Sequence, residues 1–171
     1  QKSEVRVGSL CAKAHSSQPK LTLFNNVIHS PSSPPAGYFA ILPYMDLGVF
    51  DSGIGGEAVA RALARYFPDA DILTVNDHEH VPYGNKTPEQ VRRFTEAAIQ
   101  PLLGRDVIII ACNTATMFAL PYLRETYPQQ QFIGIEPMVK PAAQLTKSGI
   151  ICVCATPGTL ASERYNDLKS T

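Results

Sequence analysis

Cys112 occupies a position in the sequence that suits thiol chemistry. It follows the apolar run of residues 107–111, which predicts a buried strand, and it precedes Asn113, Thr114 and Thr116. A cysteine at the start of a helix faces the positive end of the helix dipole, which favours the thiolate form of such a residue. Most buried cysteines are inert core residues, but the amide and the two hydroxyls that follow indicate a ligand. A carboxylate or an amino group would suit them.

A second polar loop lies earlier in the chain, where the run of residues 47–50 ends in Asp51 and Ser52. Glycines at positions 53, 55 and 56 follow and would let a ligand approach the main-chain N–H groups closely. The GxGG spacing differs from the GxGxxG of a dinucleotide-binding loop. An ordinary glycine-rich turn explains this segment equally well when it is taken alone.

Three further apolar runs also end in polar loops. Residues 72–75 lead into a ten-residue polar loop in which Tyr83, taken alone, is best explained as a packing residue. Glu136 follows the next run, where an acid at a helix start can simply complement the helix dipole. Thr159 belongs to a hydroxyl-bearing turn that follows the last run and suits an anion. Carboxylate, hydroxyl, thiol and amide groups together suit a small zwitterion handled by thiol acid–base chemistry.

Alternating strands and helices must position these loops. Two of the predicted helices span residues 57–67 and 87–103, and the second has Thr87 as its N-cap and Pro88 in its first turn. Pro121 predicts a kink or an early end in the third helix. Repeats of this kind predict an α/β fold, a parallel sheet flanked by helices on both faces, with ligands at the carboxyl ends of the strands. The predicted strands are residues 47–50, 72–75, 107–111, 132–135 and 150–153, and the later helices are 137–146 and 159–168.

Composition and charge exclude several classes of function. The 171 residues carry 15 basic and 15 acidic side chains, and this balance gives no support for a nucleic-acid or anionic-membrane surface. No apolar run approaches the roughly 20 residues that span a bilayer. The four cysteines show no CxxC spacing, so we predict neither a metal site nor a disulfide framework. We predict instead that the protein resides in a reducing cytoplasm. Cys152 and Cys154 are interpreted as core residues of the last strand.

Residues 1–44 differ in character from the rest of the chain. They carry clustered serine and proline at positions 30–35, little periodicity, and a single acid, Glu4. The apolar stretches are too short and too broken for a secretory signal. We therefore predict a disordered or non-native leader that ends just before Met45, with a transit peptide as the weaker alternative.

Five segments follow one another from Leu47 to Leu168 in a recognisable order. They are residues 49–56 (VFDSGIGG), 82–84 (PYG), 111–116 (ACNTAT), 134–137 (GIEP) with 140–142 (KPA), and 155–159 (ATPGT). Each segment alone is weak evidence for a family. In this order and spacing, however, the segments resemble the successive motifs of glutamate racemases, within the aspartate/glutamate racemase superfamily.

The resemblance implies a two-domain α/β isomerase that interconverts L- and D-glutamate for peptidoglycan synthesis without pyridoxal phosphate, metal or any other cofactor. Two cysteines flank the substrate α-carbon, and one removes the proton while the other returns one to the opposite face. Cys112 would be the base that acts on the D-enantiomer, assisted by Asp51. Glu136 would match the acid that supports a histidine beside the other cysteine. The implied substrate-binding residues are Asp51, Ser52, Pro82, Tyr83, Gly84, Asn113, Thr114, Thr116 and Thr159.

The sequence departs from the family in one respect. The Gly-Cys-Thr-His motif that carries the second catalytic cysteine does not occur in it. We therefore expect a form truncated at the C-terminus, in which residues 45–135 form a first racemase domain without its C-terminal return segment. Residues 136–171 would begin a second, incomplete domain. Such a fragment would expose sheet edges and apolar faces, which favour aggregation.

Three alternatives remain open at this point. The first is another racemase of the superfamily, acting on aspartate or hydantoins. The second is a decarboxylase of the same superfamily that needs a single cysteine, and the third is an inactive fragment. In each catalytic case the partner is a small-molecule substrate, here glutamate, with no nucleic acid and no membrane, and homodimerisation is left open.

Overall fold

A six-stranded sheet runs through the residues that this computed structural model describes, which are 6–13, 20–27 and 44–170, with side chains described from 44 to 168. The strands are β1 (Arg6–Lys13), β2 (Lys20–Val27), β3 (Asp46–Asp51), β4 (Asp71–Asn76), β5 (Val107–Ile110) and β6 (Phe132–Gly134). The helices are α1 (Gly55–Tyr66), α2 (Pro88–Ile99), α3 (Asn113–Phe118), α4 (Leu120–Thr126), α5 (Val139–Leu145), α6 (Pro157–Ala161) and α7 (Glu163–Ser170), with 3₁₀ turns at Tyr83–Asn85 and Gln100–Leu102.

The sheet has the strand order β2-β1-β4-β3-β5-β6. β3 lies between β4 and β5 and is parallel to both, with Asp51 opposite Asn76 and Phe50 opposite Ile110. β6 continues the parallel arrangement beyond β5. The predicted α/β fold with a parallel sheet flanked by helices is confirmed, and the carboxyl ends of β3, β4 and β5 meet at one edge.

β1 and β2 lie inside the segment for which the sequence predicted a disordered or non-native leader, residues 1–44. β1 is parallel to β4, with Val7 opposite Ile72 and Cys11 opposite Asn76, and β2 is antiparallel to β1. Pairing along the outer edge of β4 satisfies backbone groups that the edge strand would otherwise leave open. The other residues of that predicted leader up to position 43 lie outside the described residues.

Apolar side chains pack on both faces of the sheet. Alternate residues of one strand point to opposite faces, and so Phe50 joins the cluster on the side of α2, α3 and α4, while Val49 joins the cluster on the side of α1. Ile110 and Ile109 divide in the same way. Helices therefore cover both faces, as the near-continuous apolar runs predicted.

The sequence signals for the helix ends are confirmed at two places. The Thr87 hydroxyl accepts the backbone N–H of Gln90 while the Gln90 side chain accepts the N–H of Thr87, a capping box at the start of α2. α3 ends at Phe118 and α4 begins at Leu120, so that Pro121 falls in the first turn of a new helix, where its missing N–H is tolerated.

The predicted strand at residues 150–153 and the core position of its cysteines are wrong. This segment is irregular, Ile150 is 78% exposed, and Cys152 and Cys154 are both exposed. A strand forms only where a neighbour pairs with its N–H and C=O groups, and no described strand pairs with residues 150–153.

The last predicted helix, residues 159–168, differs from the observed structure as well. It begins two residues earlier, as α6 at Pro157, and it is divided at Ser162, after which α7 begins. Within the described part of the chain, no helix is long and apolar enough to cross a membrane.

Candidate active site at the carboxyl edge of the sheet

Cys112 and Ser52 meet where β5 and β3 end. The Sγ atom of Cys112 lies 3.2 Å from the Oγ atom of Ser52, and it accepts the backbone N–H of Ala115 at 3.5 Å as the N-cap of α3. The parallel register causes this meeting, because Phe50 pairs with Ile110 and each polar residue follows two positions later. Cys112 is only 6% exposed. The thiol is thus held by a hydroxyl and by the first turn of a helix, whose dipole favours negative charge.

Asp51 shapes the loop that carries Ser52. Its buried carboxylate accepts the backbone N–H groups of Gly53 and Gly55 through Oδ2, both at 2.9 Å. A Cβ atom at position 56 would lie 2.9 Å from the Cβ of Asp51, which explains why the start of α1 requires glycine there. One carboxylate oxygen of Asp51 is therefore committed to the conformation of the loop.

Tyr83 is almost fully buried beside a carboxylate that the sequence analysis did not include in the site. Its hydroxyl donates to Oδ2 of Asp77 at 2.7 Å, and the N–H of Asp77 donates to the carbonyl of Asp51 at 3.0 Å. The Nδ1 atom of His80 lies 2.9 Å from both Asp77 oxygens, and the His80 ring stacks on Phe94. Burial first, and the Asp77 carboxylate second, raise the pKa of the Tyr83 phenol above its ordinary value. Tyr83 is therefore a neutral donor that ties its loop to Asp77.

Three threonine hydroxyls form a cluster between α3 and α6. The Oγ1 atom of Thr114 lies 3.1 Å from that of Thr156 and 3.4 Å from that of Thr159, and the last two are 3.0 Å apart. Thr156 is also the N-cap of α6. We call Thr114, Thr156 and Thr159 the threonine cluster. A hydroxyl both donates and accepts a hydrogen bond. The hydrogen bonds within the cluster can therefore be replaced by hydrogen bonds to a ligand.

Gly84 allows the threonine cluster to approach the Tyr83 turn. A Cβ atom at position 84 would lie 2.6 Å from the Cβ of Thr156, a distance that real side chains do not show. A glycine is thus required here for the close approach of α6, whatever contact its backbone makes with a substrate.

The remaining predicted site residues are placed less centrally. The hydroxyl of Thr116 donates to the carbonyl of Ile110 at 3.1 Å and is buried, so it serves the junction of β5 and α3. Asn113, the first residue of α3, and Pro82, next to Tyr83, are exposed at the same edge.

Glu136 forms an ion pair with Arg164 of α7. The Oε1 and Oε2 atoms of Glu136 accept from Nε and an Nη atom of Arg164, at 2.6 and 3.0 Å. Both carboxylate oxygens are engaged by one guanidinium, a geometry in which Arg is especially effective. Glu136 therefore has an arginine partner here, and its predicted support of a histidine stays a prediction.

Known proteins are similar to this chain in sequence and in structure. The glutamate racemase of Sulfurovum sp. strain NBC37-1 is 50% identical over 127 residues, which cover 72% of this chain and 48% of that protein. The structure of Escherichia coli glutamate racemase with L-glutamate and the activator UDP-MurNAc-Ala superposes with a TM-score of 0.67 and 33% identity, over 75% of this chain and 49% of that one. The matched part of the chain belongs to the glutamate racemase family.

A third glutamate racemase supports the same conclusion. The structure from Francisella tularensis in complex with D-glutamate is 29% identical, with a TM-score of 0.61, over 74% of this chain and 48% of that one. No family model matches the chain. The chain spans about half the length of the curated glutamate racemases it matches.

The structure adds three residues to the site that the racemase motifs predicted. Asp77 holds Tyr83, Thr156 belongs to the threonine cluster, and Arg164 engages Glu136. Thr156 lies inside one of the motif segments, and Asp77 directly follows β4, so both had a signal in the sequence. Arg164 had none, because only the packing of α7 brings it to Glu136. Among the described residues, no group of three His, Cys, Asp or Glu side chains could hold a metal ion.

Proposed function

We propose that this chain supplies the Cys112 half of a cofactor-independent glutamate racemase. The observation that carries the proposal is the 3.2 Å contact between the Cys112 thiol and the Ser52 hydroxyl at the N-terminus of α3. The Ser52 hydroxyl and the backbone N–H of Ala115 both contact the sulfur, so the group that would remove the proton is held in one place.

The reaction begins with removal of the α-proton of D-glutamate by the Cys112 thiolate. The electron pair of the C–H bond remains on the α-carbon, next to the carboxylate, and the thiol keeps the proton. The α-proton of an amino acid is very weakly acidic, so the site must stabilise this charge with hydrogen-bond donors already in position. Racemisation is completed when an acid on the opposite face returns a proton, and we assign no residue of this chain to that step.

Substrate carboxylates would bind at the threonine cluster and at the exposed first turn of α3. The cluster offers three hydroxyls within 3.4 Å of one another. Asn113 adds an amide at the same edge. Two glutamate racemases of similar structure are complexes with L- or D-glutamate, which supports glutamate as the ligand.

The proposal extends to the cellular role of the family. D-Glutamate is a component of peptidoglycan, and a racemase would supply it for cell-wall synthesis. A catalytic thiol must stay reduced, so a cytoplasmic location fits the chemistry better than an oxidising compartment.

Proton exchange in heavy water tests the proposal directly. The purified chain is incubated separately with D-glutamate, L-glutamate and D-aspartate, and the α-proton signal is followed by NMR. We expect the signal to decline for D-glutamate and Cys112→Ala to abolish this decline.

The exposed thiol Cys152 supplies the matched control, because Cys152→Ala removes a sulfur from a segment outside the sheet. This variant should exchange at the wild-type rate. Exchange of D-aspartate in preference to D-glutamate would instead assign the chain to another racemase of the superfamily. The absence of exchange in a sample shown to be folded would refute catalysis by this chain.

A further inference from the structure

We infer that the Glu136–Arg164 ion pair is a clamp that positions the threonine cluster against α3. Glu136 and Arg164 are then positioning residues that act through Thr159, and neither contacts the reacting atoms. The effect of the clamp on substrate affinity rests on the function proposed above, but its effect on the threonine cluster does not.

The fixed side of the clamp is the sheet. Glu136 comes two residues after β6, and the backbone N–H of Ile135 still donates to the carbonyl of Ile110 at 3.0 Å. The pairing of β6 with β5 therefore extends to the residue before Glu136. Since β5 also leads to Cys112, the carboxylate and the thiol belong to neighbouring strand ends of one rigid edge.

The other side of the clamp is α7, which is coupled to the threonine cluster through Ser162. The buried Ser162 hydroxyl donates to the carbonyl of Thr159 at 2.7 Å and accepts the N–H of Tyr165 at 3.2 Å. Ser162 thus caps α7 while it holds the last turn of α6. Arg164 lies in the first turn of α7, two residues from this cap, and so a shift of Arg164 displaces Thr159.

The first part of the segment between the two clamp residues, positions 139–150, is weakly held by apolar contacts. α5 has no buried residue, and Leu145 and Ile150 are 80% and 78% exposed. A bidentate ion pair between the two ends of such a segment contributes more to its position than the same pair would on the surface of a rigid helix. The carboxylate raises the pKa of Arg164 above its ordinary value, first through the hydrogen bonds and then through its charge.

Four variants of the full chain test the clamp: Glu136→Gln, Arg164→Ala, Arg164→Lys and the exchanged pair Glu136→Arg with Arg164→Glu. The first readout is hydrogen exchange at the Thr159 amide, which donates to the Thr156 hydroxyl. We expect its protection to fall about two- to five-fold in Glu136→Gln and Arg164→Ala, the range for a partly exposed ion pair. The exchanged pair should restore protection, and Arg164→Lys should be intermediate, because lysine keeps the charge without the bidentate geometry.

The second readout separates binding from chemistry. In Arg164→Ala the KM for D-glutamate in α-proton exchange should rise about two- to five-fold, while kcat should stay near the wild-type value. Glu57→Gln is the matched control, since Glu57 pairs with Arg61 on an exposed helix face away from α7, and it should change neither readout.

The outcomes distinguish the clamp from the proposed function. Unchanged Thr159 protection in Arg164→Ala would overturn the clamp, as would a failure of the exchanged pair to restore protection. Altered protection in a chain that exchanges no α-proton would leave the clamp standing and overturn only the racemase activity. A fall in kcat with unchanged KM in Arg164→Ala would mean that the ion pair acts on the chemical step, and this would also overturn the clamp.

Discussion

At the scale of single residues, the contact between Ser52 and Cys112 is the feature with the most direct chemical consequence. A hydroxyl that donates to a thiolate stabilises its charge and fixes its direction. A hydrogen bond to a charged group contributes about 1.5–3 kcal/mol. We therefore expect Ser52→Ala to slow α-proton exchange from D-glutamate by at least about ten-fold.

Alkylation of Cys112 by iodoacetamide gives a second measurement of the same change. Ser52→Ala removes the hydroxyl that contacts and orients the sulfur, and we expect alkylation at neutral pH to become slower. Ser148→Ala removes an exposed hydroxyl from the segment after α5 and should leave both rates unchanged. Unaltered alkylation in Ser52→Ala would show that the hydroxyl does not control the reactivity of the sulfur.

The buried Tyr83 leads to a prediction about stability and pH. Tyr83→Phe removes the donor to Asp77, and we expect the free energy of unfolding at pH 7 to fall by about 1–3 kcal/mol. The folded state raises the pKa of Tyr83, so only the unfolded chain loses this proton as the pH rises above the ordinary value of 10.0. Stability from Tyr83 is thus fully present below that pH and declines above it.

Urea denaturation of both proteins between pH 7 and pH 11 measures this difference. The advantage of the wild type over Tyr83→Phe should be constant up to about pH 10 and should then shrink. Comparing the two proteins cancels the other groups that titrate in this range. A constant advantage up to pH 11 would mean that the phenol ionises as easily in the folded state as in the unfolded chain.

At the scale of elements, the approach of α6 to the 3₁₀ turn at Tyr83–Asn85 depends on Gly84. Gly84→Ala places a Cβ atom 2.6 Å from the Cβ of Thr156. Either the turn or α6 must move, and we expect a loss of about 1–3 kcal/mol in the free energy of unfolding. Gly53→Ala is the control, because its Cβ would meet its nearest neighbour at 3.7 Å, an ordinary contact. Equal stability of the two variants would contradict the packing described for α6.

Elements were predictable from the sequence where the signal is local. The capping box at Thr87 and the proline at Pro121 fix helix ends through the backbone of the adjacent turn, and both predictions are confirmed. The irregular conformation of residues 150–153 was not predictable, because an apolar run is compatible with a strand and the strand forms only where a neighbour pairs with it. The division between α6 and α7 lies at Ser162, whose hydroxyl bonds to Thr159 on one side and Tyr165 on the other, so it had a local signal that the predicted continuous helix missed.

The residues of the site also divide into those that could be predicted from the sequence and those that could not. Cys112, Ser52 and Asp51 lie at or just after strand ends, so a parallel sheet must bring them to one edge, and this was predictable from the sequence. The partners of Tyr83 and Glu136 were not, because a ten-residue loop and a helix more than twenty residues away can fold back in several ways. The order of the strands therefore determines where the site lies, and side-chain packing determines which residues each site residue contacts.

At the scale of the whole molecule, the two apolar layers stand on either side of one sheet. Ile110 is fully buried on the side of α2, and Ile110→Ala removes three carbons from a closed core. We expect the free energy of unfolding to fall by about 2–5 kcal/mol, measured by chemical denaturation. Ile133→Ala makes the same change on β6, where the side chain is 54% exposed, and should cost clearly less. Similar losses at both positions would argue that another surface covers β6.

The register of β3 and β5 has a consequence for how this protein can evolve. Ser52 and Cys112 each lie two positions beyond a paired residue, Phe50 and Ile110. A single inserted or deleted codon at either one-residue spacer, Asp51 or Ala111, would rotate one side chain away from the other, since successive residues of an extended chain face opposite ways. The loop that follows β4 carries no such constraint on its exposed positions. Natural length variation should therefore collect in that loop, while both spacers keep their length even where their sequence diverges.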